Sequence, residues 1–145
     1  MNFILAVSDD NKIALGGKIP WRNSHDLRWF KMNTYGRTII MGRKTWDSIG
    51  RKSLRFRRNI VVSRRKVSGV ETIINLNDIR LKHSNAWVIG GSELCQQVWK
   101  SGDILVLTRI HTTVGESGLR IKLPPMRRLW QKSFNSHTFS INIIQ

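Results

Sequence analysis

Acidic residues are scarce in this chain: its 145 residues hold 9 Asp+Glu against 25 Lys+Arg, a formal net charge of +16. That balance attracts polyanions, meaning nucleic acid, anionic membrane surfaces or phosphorylated small molecules, and it says nothing about fold. Cysteine is nearly absent as well. The lone Cys95 excludes an internal disulfide framework and suits a reducing compartment. No apolar run approaches the roughly 20 residues needed to span a bilayer. No basic-then-apolar leader precedes the first strand pattern, so a soluble, cytoplasmic protein without membrane contact is the expectation. Repeats, linkers and low-complexity segments are missing too. At this length, residues 1–145 are expected to form one domain with a core of its own.

What is present is an alternation of short apolar runs with helical patterns. Asn2–Ser8 is almost continuously apolar, as suits a strand covered on both faces. Further strands are expected at 38–41, 60–63, 70–74, 86–89 and 104–110. Helices are expected over about 44–49, ended by Gly50, over 78–83, capped by Asn77, and over 92–100. The tail, 130–134 and then 138–144, reads as a hairpin that closes the sheet antiparallel. Strand–helix alternation implies an α/β fold, a mainly parallel central sheet of about eight strands flanked by helices.

The chain is organised around residues 20–34. Asn23 and Ser24 are good N-cap types, so a helix is expected from there to Thr34. Asp26 falls in its first turn, where the helix dipole favours a carboxylate, and shares a face with Trp29 and Phe30. Such an acid is either a surface cap or a group held in an apolar pocket for chemistry. Before it, Gly16-Gly17-Lys18 reads as a mobile loop feeding a rigid Pro20-Trp21. After it, Gly42-Arg43-Lys44-Thr45 and Gly90-Gly91-Ser92 each pass from a strand into a helix. There glycine lets a backbone approach a pyrophosphate, and free N–H groups receive it. Ser63 and Arg64, just past a strand, are placed with Arg43 to seat a further phosphate, although Arg64 and Lys44 also read as solvated charges.

The ordered set Ile-Pro-Trp, Asp-Leu-x-Trp-Phe-Lys, Met-Gly-Arg-Lys-Thr-Trp-Asp-Ser-Ile-Gly, Val-Ile-Gly-Gly-Ser and Leu-Thr-Arg-Ile resembles dihydrofolate reductase over nearly the whole chain. The spacing is that of a short, bacterial-type member, and the basic composition points toward a viral, plasmid or otherwise mobile gene. No metal is expected, and a monomer is expected because no apolar surface stripe is left over after the core is assigned. The resemblance implies reduction of 7,8-dihydrofolate to tetrahydrofolate with NADPH. It implies catalytic roles for Asp26, for Thr108 hydrogen-bonded to it, and for Trp21 holding an ordered water. It implies a substrate pocket of Ile4, Leu5, Ala6, Leu27, Phe30, Ile49, Leu54 and Ile89, with Arg57 on the α-carboxylate of the glutamyl tail. For NADPH it implies Ala6, Ile13, Gly42, Arg43, Lys44, Thr45, Ser63, Arg64, Gly90, Gly91, Ser92, Glu93 and Leu94. Antifolates such as methotrexate or trimethoprim are implied ligands.

Several residues depart from the family pattern. Cys95 stands where a tyrosine is usual, and Ala14 replaces a glycine at the start of the mobile loop. Val114-Gly115-Glu116-Ser117-Gly118 replaces an acidic stretch that latches that loop, and the last hairpin is abbreviated around Asn135-Ser136. Residues 51–66 carry eight basic side chains and no acidic one. They read either as a solvated face or as a polyanion patch, and with Phe56 alone among them base stacking is not expected. Two other readings stand beside the reductase. One is a pyrimidine-ribose reductase of riboflavin synthesis, against which Asp26 and Arg57 argue; the other is a basic nucleic-acid-binding module on the same fold.

Overall fold

The apolar run of β1 (Asn2–Ser8) lies in the middle of a sheet, and its alternate side chains feed two separate cores. Phe3, Leu5 and Val7 join Ile40, Ile60, Val88, Leu105 and Leu107 on one face. Ile4 joins Ile39, Met41, Val61, Trp87 and Val106 on the other. The computed structural model describes residues 1–15, 21, 23–116 and 118–145.

After β1 the elements are β2 (Lys12–Leu15), α1 (Ser24–Thr34), β3 (Thr38–Gly42), α2 (Arg43–Ser48), β4 (Arg58–Val62) and β5 (Glu71–Ile73). There follow α3 (Asn77–Lys82), β6 (Trp87–Gly90), α4 (Ser92–Val98), β7 (Ile104–Ile110), β8 (Gly118–Arg120), β9 (Met126–Ser133) and β10 (His137–Ile144). The main sheet has eight strands in the order β5-β4-β3-β6-β1-β7-β10-β9. Pairing is parallel from β5 through β7. β10 runs antiparallel to both β7 and β9, as the sequence predicts. No helix among the described residues is long and apolar enough to cross a membrane.

Three local expectations are corrected. A two-stranded ribbon of β2 and β8 was not anticipated; its halves lie about a hundred residues apart, and neither shows apolar alternation. Asn77 is inside α3 rather than its cap. The N-cap position is Leu76, which makes no side-chain cap bond, while Asn75 Oδ1 in the preceding turn accepts the Asn77 N–H at 3.0 Å. β9 begins four residues before the predicted hairpin strand; Arg127-Arg128 breaks the apolar pattern of Met126–Leu129, which belongs to an exposed edge. From Arg127 to Ser133 every residue of β9 is exposed, and Arg127, Arg128 and Lys132 line this free edge, the usual protection against strand-on-strand pairing.

Helix α1 is docked by aromatic rings. Trp29 stacks on Phe139 of β10 (centroids 4.5 Å, planes 8° apart) and on Trp130 of β9 (5.9 Å, 17°). His25 meets Phe134 and Phe139 edge-on and hydrogen-bonds His137 between Nδ1 and Nε2 at 2.9 Å. One imidazole of that pair has to be neutral to accept. Burial holds His137 below the ordinary histidine value, with the charges of His25 and His111 adding to the effect. A depressed folded-state pKa means that the unfolded chain takes up the proton first. The stability from neutral His137 is therefore present above about 6.5 and lost as pH falls through the folded value. Thermal melts from pH 8 to 5 are expected to show a falling Tm below that point, and His137→Phe is expected to flatten the fall.

Candidate active site

Asn23 begins the site. Its backbone is extended, its Oδ1 accepts the Asp26 N–H at 2.9 Å, and α1 starts where the cap predicts. One turn in, the Asp26 carboxylate is half-buried. Burial pushes its pKa above the usual carboxylate value, against a hydrogen bond from the Thr108 hydroxyl and the nearby charge of His25, which both lower it. Thr108 is itself 1% exposed and sits directly across from Ala6 in the β1–β7 register. The acid on the helix thus faces a hydroxyl on the sheet.

On the face of the sheet that Thr108 shares with Val106, the chain gathers five apolar residues from five segments. Ile4 is buried in the second core, and Phe30, Ile49, Leu54 and Ile89 are packed against that same core. The remaining pocket residues fall differently. Leu5 is in the opposite core, so only its backbone faces the Ile4 side. Leu27 stands 56% exposed on α1. Trp21 is half-buried, and the adjoining Gly16–Pro20 loop expected to be mobile lies outside the described residues.

Arg57 is half-buried, with its guanidinium 5.8 Å from the Phe30 ring. Its Nε is buried without a hydrogen-bond partner among the described residues, an arrangement suited to receiving an anion. What aims it is a residue that local pattern does not single out. Asn59, only 7% exposed, accepts the Leu54 N–H and donates to the carbonyls of Leu54 and Arg57, each at 2.9 Å. One amide thereby fixes the loop that presents both Leu54 and Arg57. Its signal in the sequence was only a polar residue opening a β-branched strand.

The glycine junctions converge as expected. Gly42 N-caps α2 and Gly91 N-caps α4, and neither helix start has a side-chain cap, so their first N–H groups stay open. A Cβ on Gly42 would lie 3.8 Å from the Gly91 nitrogen, and one on Gly90 would lie 3.4 Å from the Thr45 Oγ1. Gly90 has φ +138, which only glycine adopts without strain. The result is a bare backbone cradle with Thr45 on its wall. Of the phosphate cations, Arg43 is bonded to Asp47 at 3.3 Å, while Lys44 and Arg64 are exposed. Ser63 Oγ accepts the Arg65 N–H. Ser92 and Leu94 are buried at the start of α4, where Glu93 is exposed, and Ile13 packs against the first core.

The departures are milder than the sequence suggests. Ala14 lies in β2, with extended pairing to Leu119, and is not among the residues with positive φ. In the 114–118 loop Ser117 lies outside the described residues. Asp10 holds the beginning of that loop, accepting the N–H groups of Val114 and Gly115 at 3.1 and 2.9 Å. Hydrogen bonds, first from Ser8 and then from Gly115, keep the Asp10 carboxyl well below its usual range. Cys95 is fully buried beside Leu94 and Val98 in the first core, and burial pushes its thiol up to about 12. A thiol of that kind is a small apolar filler. Cys95 is expected to resist a thiol-specific disulfide reagent at neutral pH in the folded protein and to react in full once denaturant is added.

Comparison with known proteins converges on one family. The family model described as dihydrofolate reductase matches residues 1–139. Dihydrofolate reductase of Buchnera aphidicola subsp. Baizongia pistaciae is 39% identical over 118 residues, covering 76% of this chain and 71% of that protein. Its counterpart in Haemophilus influenzae is 37% identical over 123 residues, covering 77% and 72%. Among solved structures, dihydrofolate reductase from Enterococcus faecalis, complexed with NADP(H) and RAB-propyl, superposes with a TM-score of 0.82. It is 23% identical, over 98% of this chain and 94% of that one. Motif order, sheet topology, the acid facing a strand hydroxyl and the shared sequence agree: the chain belongs to the dihydrofolate reductase family.

Proposed function

We infer that the chain is an NADPH-dependent dihydrofolate reductase, active as a single domain of residues 1–145 and as a cytoplasmic monomer. The observation that carries this reading is the half-buried Asp26, its pKa raised by burial, facing Thr108 at the edge of the core that Phe30, Ile49 and Ile89 complete.

The reaction adds a hydride at C6 of the pterin and a proton at N5. NADPH, when bound, supplies the hydride. The uncapped N–H groups of α2 and α4 and the bare Gly42, Gly90 and Gly91 backbone suit its pyrophosphate, with Thr45 and Ser92 beside it. Arg43, Lys44, Ser63 and Arg64 serve the 2′-phosphate and the neighbouring phosphates. Ala6, Ile13, Glu93 and Leu94 complete that side.

The chain's own residues govern the proton. Asp26 takes the amino-pyrimidinone edge of the pterin and, oriented by Thr108, favours protonation at N5 through water held by Trp21. Ile4 and Ile89 offer backbone carbonyls to the exocyclic amine. Leu27, Phe30, Ile49 and Leu54 exclude water from the ring, with the Leu5 backbone behind it, and this sustains the raised pKa of the acid. Arg57 pairs with the α-carboxylate of the glutamyl tail, a task that suits a guanidinium fork. A carboxylate aimed at an amino-pyrimidine edge also receives diaminopyrimidine and pteridine antifolates.

Two measurements test the reading. Turnover followed by NADPH oxidation is expected to fall as pH rises through the Asp26 titration. Asp26→Asn is expected to lower it about 10²–10⁴-fold and to remove that pH dependence. The sign for stability is the opposite of a salt-bridged acid. With a raised folded pKa, the Asp26 contribution is present below 3.8 and lost as pH rises, so Asp26→Asn is expected to melt higher at neutral pH. No turnover by the well-folded parent with dihydrofolate, and turnover with a pyrimidine-ribose substrate instead, would overturn the assignment. Second, Arg57→Lys is expected to raise the KM for dihydrofolate about 10–100-fold with little change in the pH profile, the loss of a charge-assisted pair. Asn59→Ala is expected to raise the same KM, because it releases the backbone that aims Arg57.

A further inference from the structure

We propose that Tyr35 and Phe56, with Lys31, Arg37 and Arg55 around them, form a platform that binds single-stranded nucleic acid. Two chain segments of like pattern run side by side into neighbouring parallel strands. Tyr35-Gly36-Arg37 leads into β3 and Phe56-Arg57-Arg58 into β4. Gly36 donates its N–H to the Phe56 carbonyl at 2.9 Å, and Arg58 donates its own to the Arg37 carbonyl at 3.1 Å. This ladder sets the two rings together, with centroids 5.3 Å apart and planes tilted by 38°. The sequence showed a single aromatic in the basic run; the fold supplies the second from the end of α1.

Neither ring serves the core. Tyr35 is 48% exposed and Phe56 65%. Phe56 also has φ +62, a left-handed conformation that strains a bulky L-residue. A polar residue or glycine at this turn would avoid both the strain and the exposed ring. A residue kept against both penalties points to a ligand for its face.

The charges around the rings define that ligand. Lys31 Nζ lies 5.8 Å from the centre of the Tyr35 ring, and Arg55 Cζ lies 5.5 Å from that of Phe56. Arg37 opens onto an adjoining cleft of about 330 Å³ that Ser84 and Asn85 also line. Two other cations of that cleft are committed, Arg58 to Glu71 and Lys82 to Asp78. Lys31, Arg37 and Arg55 have no carboxylate within ion-pair distance among the described residues. Flat apolar faces interleaved with unneutralised cations match a chain of bases and phosphates. An acidic peptide has the charge without the planes, and a duplex keeps its base faces stacked inside.

The test is fluorescence anisotropy of a labelled single strand of about 12 nucleotides with the full chain. Expected are binding of the strand in preference to the duplex of the same sequence, and roughly tenfold weaker binding by Phe56→Gly. Glycine relieves the strain at φ +62, so this variant is expected to melt at or above the parent; Tyr35→Ala gives the same comparison from the other ring. Arg37→Gln is expected to reduce the slope of log K against log salt by about 0.7. Unchanged binding by both ring variants would overturn the proposal. So would a duplex, or a polyglutamate peptide of equal charge, that displaces the strand as well as unlabelled strand does, since charge alone would then account for retention.

Discussion

The stacking of Trp29 on Phe139 and Trp130 is the contact on which the placement of Asp26 rests. It joins the second turn of α1 to the two strands made last in the chain, and His25 ties the first turn of the same helix to His137. Asp26 lies between these two attachments. Its distance from Thr108, and the partial burial that makes it a weaker acid, both follow from how closely α1 sits on the sheet. Flat rings suit this purpose. They bury much area with few rotatable bonds, so the helix is held in one orientation at little entropic cost.

A second constraint is the sparing use of carboxylates. Asp47 is shared by Arg43 and Arg51, Glu71 takes Arg58 bidentately, and Asp103 takes Arg80. Asp10 is spent on backbone N–H groups, and Asp26 faces the Thr108 hydroxyl rather than a cation. Most cations therefore face solvent with their charge intact. The exposed pairs contribute little to stability, so the basic surface is a property of ligand attraction and solubility rather than of folding.

Much of this was legible in the sequence because it depends on local pattern. The apolar run of β1, the Asn23 cap, the Gly90-Gly91 junction and the β-branched strands each declare themselves within a few residues. The acid at Asp26 was legible too, and its environment was legible through the family resemblance rather than local pattern, since Ala6 and Thr108 meet only through strand register. Long-range pairing hid the rest. The β2–β8 ribbon joins two short, unpatterned segments, Asn59 acts through hydrogen bonds to a turn that precedes it, and Tyr35 meets Phe56 because β3 and β4 are neighbours. In each case the deciding contact was tertiary, and the residue type alone carried no mark of it.

The free edge at β9 has a bearing on how the protein behaves in the tube. Arg127, Arg128 and Lys132 keep an eight-residue strand with unpaired backbone groups from meeting its like. Mutual repulsion of this sort weakens as counterions accumulate, since the screening length shortens from about 10 Å at 0.1 M salt to about 3 Å at 1 M. High salt, the common remedy for stripping polyanions from a basic protein, thus removes the guard on its own sheet. Colloidal stability is therefore expected to fall toward high ionic strength, a limit set by the penultimate strand.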